Sequence, residues 1–155
     1  MNSAVTVQQQ RHAAFWIYIG FIAAELVGFV WFGSPFTSMT ALAIFLVAGF
    51  WAYFERGRDS VLDTHYQFQI RTFWINFIAG FVLPLFFFVA VFAGVGSLLM
   101  WDSNPTGLVF SVLVGTFLPM MIGFGLAIWT IVRSVVGLSR LKDGGPIENP
   151  TTWMV

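Results

Sequence analysis

Apolar residues come along this chain in four long runs separated by short polar breaks. The first runs from about Ala13 to Phe32 and the second from about Thr37 to Phe54. The third, Phe73 to Met100, carries no charge, and the fourth runs from about Gly107 to Val132. About 20 mostly apolar residues suffice for a helix to cross the hydrocarbon of a bilayer, so each run predicts one transmembrane helix. The third would be roughly 42 Å long, beyond a core of roughly 30 Å, and must tilt, bend or emerge. Pro84 and the Gly94/Gly96 pair are its candidate bend points, and Pro119 lies in the middle of the fourth. Gly33-Ser34-Pro35 and Trp101-Asp102-Ser103-Asn104-Pro105 read as turns.

The polar breaks are unequal. Residues 1–12 form a polar N-terminal tail, and residues 55–72 are the most polar interior stretch. From Thr64 to Trp74, Tyr66, Ile70 and Phe73 share one helical side, with His65, Gln69 and Thr72 on a neighbouring one. That pattern predicts a short amphipathic interfacial helix between spans two and three, running into the third. Beyond span four a short helical continuation carries Arg133, Gly137 and Arg140. The membrane domain thus covers 13–143. It breaks at Gly144-Gly145-Pro146 into an ordered C-terminal tail, 144–155. Met1 to Gln10 has no basic residue and no small-residue cleavage site follows, so the first run reads as a retained helix rather than a signal peptide.

Composition agrees with the runs. The chain is 58% hydrophobic and 9% charged, where soluble domains hold about 45–50% and about 25%. A soluble domain of this size could not hide that much apolar surface. A net charge of zero gives no basic face for nucleic acid. The absence of cysteine removes disulfides and thiolate metal sites. Arg11, Arg56, Arg58, Arg71, Arg133, Arg140 and Lys142 all flank alternate ends of the runs, while the loops around Ser34 and Asp102 have no Lys or Arg. The positive-inside rule therefore puts both termini in the cytoplasm and requires an even number of spans.

Few residues carry chemistry. Glu25 is the one acid deep in an apolar run. It reads either as a proton or cation site, or as a protonated or hydrogen-bonded acid that locks helix packing. Beside it Gly20, Ala24 and Gly28 form a small-residue stripe for close helix approach, in this chain or between protomers. His12 and His65 both fall near the cytoplasmic interface, a poor arrangement for axial haem ligands and too few for zinc. Arg71 and Arg133 read as topological anchors, or as a basic site for an anionic lipid or an acidic partner segment. No catalytic triad, carboxylate pair, phosphate loop or metal cluster is present in the sequence.

Two stretches carry a resemblance. Arg56-Gly57-Arg58-Asp59 with Thr64-His65-Tyr66-Gln67-Phe68-Gln69-Ile70-Arg71-Thr72-Phe73-Trp74 is the first. Ile131-Val132-Arg133, Gly137-Leu138, Leu141 and Gly144-Gly145-Pro146-Ile147-Glu148-Asn149-Pro150-Thr151-Thr152-Trp153 is the second. Together they resemble an uncharacterised family of small bacterial inner-membrane proteins, a domain-of-unknown-function group placed near the Tic-twenty-like subunits of the chloroplast import translocon. The matching positions are His65, Gln69, Arg71, Trp74, Arg133, Asn149, Pro150 and Trp153. The resemblance implies a compact helical bundle and no reaction. It suggests a cytoplasmic plate in which the tail folds back under spans three and four, with Arg71 and Arg133 bonding backbone carbonyls or Asn149.

These readings converge on an all-α integral membrane protein, a four-span bundle of the bacterial inner membrane. The expected role is a non-enzymatic accessory or interaction subunit without cofactor or metal. Its partners would be membrane lipids and other membrane subunits or further copies of itself. Two alternatives stay open: a carrier that uses Glu25, and a lipid- or cofactor-binding protein centred on Arg71, Arg133 and His65.

Overall fold

The computed structural model describes residues 3–30, 35–57, 60–100 and 105–150. They form four α-helices: α1 Ser3–Val30, α2 Pro35–Glu55, α3 Ser60–Met100 and α4 Pro105–Lys142. Both α2 and α4 open on proline, which fits the first helical position because its missing N–H would have no intrahelical partner there. The predicted turn residues Gly33, Ser34 and 101–104 lie outside the described residues.

Helix α3 corrects one expectation. Residues 60–72 run on into the third span, as the first turns of a single 41-residue helix, but the polar face expected to lie at the membrane surface does not meet water. Both faces of that stretch are covered: Tyr66, Ile70 and Phe73 are buried, and so are His65, Gln69 and Thr72. Polar groups of both faces bond to α1 instead of water: Tyr66 Oη donates to the Gln10 carbonyl at 3.0 Å and Gln69 Nε2 to the Ala14 carbonyl at 2.9 Å. A helical carbonyl has a second lone pair for such a bond.

Among the described residues three helices are long and apolar enough to cross a membrane: α2, α3 and α4. With 41 and 38 residues, α3 and α4 would measure about 61 and about 57 Å, roughly twice the hydrocarbon thickness. Both run without interruption through Pro84 and Pro119.

The chain divides into two compact units. One contains Met1–Trp74 and Ile128–Val155, and the other Ile75–Ala127. Among the described residues, all the buried apolar side chains, from Ala13 on α1 to Leu141 on α4, belong to the first. There the small-residue stripe of α1 meets α2 of the same chain: a Cβ on Gly20 would stand 3.1 Å from Ala48 Cβ, and one on Gly28 3.7 Å from Ala41 Cβ. An aromatic ladder ties three helices together, with Phe21 and Phe45 centroids 5.2 Å apart and Phe45 and Phe73 5.3 Å apart. The second unit is two helical segments whose large side chains face outward, Phe81 at 67% exposure and Phe92 at 72%. Surfaces of that size and character are covered favourably only by apolar surroundings such as lipid or another apolar helix.

Gly49 of α2 packs against α3, where any Cβ would collide with the Phe73 ring. Gly49→Ala is expected to lower stability by about 1–3 kcal/mol, the usual range for overpacking, read as a lower thermal midpoint in detergent. Gly80→Ala, with open space around the position, should cause no loss.

Candidate functional site

The first turns of α3 and the last turns of α4 carry most of the buried polar side chains. His65, Gln69 and Thr72 line one face of α3, while Thr130, Arg133 and Ser134 come from α4. Arg133 is the largest side chain with no exposure at all. Its Nε donates to Thr72 Oγ1 at 2.9 Å, and Nη2 makes a longer contact of 3.5 Å to the Pro150 carbonyl. The Thr72 hydroxyl donates its own hydrogen to the Phe68 carbonyl at 2.9 Å, which leaves its lone pairs for the guanidinium. The guanidinium carbon lies 3.6 Å from the Phe68 ring centroid and 5.1 Å from that of Trp129. Stacking of this kind is worth about 2 kcal/mol when water is excluded. A lysine could not reproduce the fork and the plane together.

His65 is fixed at both ring nitrogens. Nε2 is 3.0 Å from the Gly145 carbonyl, and Nδ1 is 3.2 Å from Tyr18 Oη. A carbonyl can only accept, so Nε2 carries the hydrogen, and in the neutral ring Nδ1 then accepts from the Tyr18 hydroxyl. Tyr18 reaches this position because Gly137 of α4 has no side chain; a Cβ there would collide with the tyrosine ring. Gln69 uses its amide N–H on Ala14, and its carbonyl oxygen is buried without a hydrogen-bond partner among the described residues.

The tail arrives here through the end of α4. Gly144, at φ +73°, donates to the Leu141 carbonyl at 3.2 Å, and Gly145 donates to the Arg140 carbonyl at 3.1 Å. This paired closure needs a residue in the left-handed region, where glycine is unstrained. It turns the chain back, so that the Ile147 N–H donates to Thr64 Oγ1 at 3.1 Å. The outer ion pair between Arg140 and Glu148, 3.7 Å apart and largely exposed, adds little.

The sequence-derived candidates therefore separate. His65, Gln69, Arg133 and the Pro150 carbonyl come together in one unit of the structure. Arg71 is half-buried on α3, and Asn149 is exposed. Trp74 is exposed and donates its indole N–H to the Tyr53 hydroxyl of α2. Trp153 lies outside the described residues. Glu25 is half-buried on α1 and makes no hydrogen bond or ion pair among the described residues. Seven residues from Tyr18, it stands about 10 Å further along the helix. His12 is exposed and is not among the contacts of His65. Among the described residues no three His, Asp or Glu side chains gather as metal ligands.

The chain matches no family model, no curated protein and no solved structure. What can be said of the layer thus comes from its own geometry. Sequence reasoning missed Tyr18, which sits in an apolar run with no polar neighbour in sequence, and it missed Phe68 as the surface under Arg133. The helical phase of Thr72 with His65 and Gln69 was the available signal for the arginine's partner.

Chemically the layer holds segments together. It contains a histidine bonded at both ring nitrogens, hydroxyls of Tyr18 and Thr72 engaged in hydrogen bonds, and a fully buried guanidinium. Thr72→Val should cost about 2 kcal/mol, because a buried charged donor loses its acceptor, whereas Thr72→Ser should retain most of the stability; thermal unfolding in detergent compares the two. Removing residues 144–155 takes away the Gly145, Ile147 and Pro150 contacts together, so the thermal midpoint should fall. An unchanged midpoint would show that the tail does not hold the bundle.

Proposed function

We propose that this chain is a small inner-membrane protein with four spans, both ends in the cytoplasm, serving as a non-enzymatic accessory or interaction subunit of a membrane assembly. The observation that carries the reading is the buried polar layer. Its cation, imidazole and hydroxyls are turned inward onto backbone carbonyls and one another, an arrangement suited to pinning helices rather than to turning over a substrate. What remains outward is apolar surface of α2, α3 and α4, the material of contacts with lipid and with neighbouring helices.

Two sequence arguments support the topology. All seven basic residues fall at alternate ends of the apolar runs. The run from Ala13 along α1 is long enough to span beside the other three helices. The resemblance of the Arg56–Asp59 and Thr64–Trp74 stretches, and of Ile131–Arg133 through Gly144–Trp153, to a bacterial inner-membrane family is the ground for the location. A carrier reading rests on Glu25, which is half-buried and lacks a partner among the described residues. It stands about two helical turns from the polar layer, so no relay of titratable groups leads to it.

Co-purification in gentle detergent at native expression is expected to retain at least one further membrane protein in fixed ratio; a lone monomer under those conditions overturns the subunit reading. Cysteines introduced at Asp59 and Asp102 should react with an impermeant reagent from opposite sides, and reaction from one side would refute four spans. Proton flux in liposomes that disappears with Glu25→Gln would instead establish the carrier.

A further inference from the structure

The amide of Gln10 is enclosed by the fold and left unused. The residue is 8% exposed, and its backbone carbonyl accepts from Tyr66. Its side-chain amide makes no hydrogen bond among the described residues. Nor is that amide sealed, since Gln69 Oε1 is the side-chain atom buried without a partner among them. It opens instead on a chamber of about 400 Å³ between α1 and α2, lined also by Gln9, His12, Trp16 and Trp51.

These four neighbours are uncommitted too: the Gln9 amide, the His12 imidazole and both indole N–H groups enter no hydrogen bond among the described residues. Glu55 also lines the chamber and already has a contact within the chain, so it is given no part here. Indole nitrogen only donates, neutral imidazole donates once, and each amide adds N–H groups. Through Trp16 and Trp51 the chamber continues into an apolar groove of about 580 Å³ that includes Gly20, Ala43, Val47 and Ala48. The groove has room because Gly20 meets Ala48 without bulk on either side. From Ala43 to Trp51 it extends about 12 Å.

Neutral donors around two indoles suit a headgroup that is flat and bears acceptor oxygens. Such a ring stacks on an indole face, which the tetrahedral phosphate of a phospholipid cannot do. The groove beyond calls for a hydrocarbon chain on that ring. We propose that chamber and groove together bind an isoprenoid quinone. The ring lies against Trp16 and Trp51, one carbonyl oxygen accepts from the Gln10 amide and the other from His12 or Gln9, and the chain follows Gly20, Ala43 and Val47. The site is separate from the Arg133 layer. It also stands apart from the subunit reading, since a chain that retains no partner protein can still hold a quinone.

The test is native mass spectrometry of the full chain in detergent with equal amounts of a short-chain isoprenoid quinone and phosphatidylglycerol. The expected result is one quinone per chain, retained about tenfold over the phospholipid. Gln10→Leu keeps the side-chain volume and the carbonyl that Tyr66 uses, and should reduce quinone retention about tenfold. Val47→Trp, at a position 63% exposed, fills the groove and should reduce it as well. Both variants should keep the thermal midpoint of the parent. Equal retention of quinone and phospholipid by the parent overturns the proposal, as does quinone retention that survives both substitutions. Displacement of the quinone by the same ring without its chain, at equal concentration, overturns the groove's part in it.

Discussion

A guanidinium taken out of water must find compensation nearby, and the compact unit of this protein is arranged around that demand. Arg133 has no exposure, and moving such an ion into a medium of low polarity without partners would cost several kcal/mol. The compensation is distributed. Thr72 supplies a hydroxyl from α3, Phe68 a ring face, and Pro150 a carbonyl from beyond α4. Each of these is itself held: Thr72 by the Phe68 carbonyl, and the tail by His65 and Thr64. His65 passes the constraint to α1 through Tyr18, and Tyr18 requires the bare backbone of Gly137. One buried charge thereby fixes the register of three helices and of the segment after them.

Much of the architecture was legible in the runs of apolar residues. Each of the four helices covers one run, and the glycine pair at 144–145 marks the end of α4 where the sequence indicated. But α1 begins at Ser3, inside the expected polar tail, with Gln10 buried, α3 begins at Ser60, and α4 continues to Lys142. The phase of Tyr66, Ile70 and Phe73 against His65, Gln69 and Thr72 was legible too. Its environment was not. A polar helical face looks the same in sequence whether water or another helix's carbonyls satisfies it, so residues 60–72 read as interfacial although Gln10 and Ala14 receive their hydrogen bonds. Contacts such as Tyr18 with His65, 47 positions apart, leave no periodic trace in a single sequence. Glu25 shows the converse: it was the most conspicuous residue in the sequence, and the polar layer forms without it.

The two units differ in what stabilises them. In the first, small residues let helices approach, and aromatic rings from α1, α2 and α3 meet near 5 Å. Packing and hydrogen bonds reinforce one another there, as association in lipid requires when helix and solvent are equally apolar. In the second, Phe81, Phe92, Phe110 and Met121 all point outward. Its composition suits an oily solvent rather than an interior, and backbone hydrogen bonds within each helix satisfy its polar groups.

The order in which a ribosome makes this chain gives the tail one more consequence. Domains organise from the N-terminus as synthesis proceeds, yet the carbonyls of Gly145 and Pro150 that close over His65 and Arg133 are made after the residues they cover. The helices must enter the bilayer with that charge still open on one flank. A nascent chain halted shortly after Lys142 would therefore hold Arg133 without the Pro150 carbonyl and His65 without that of Gly145.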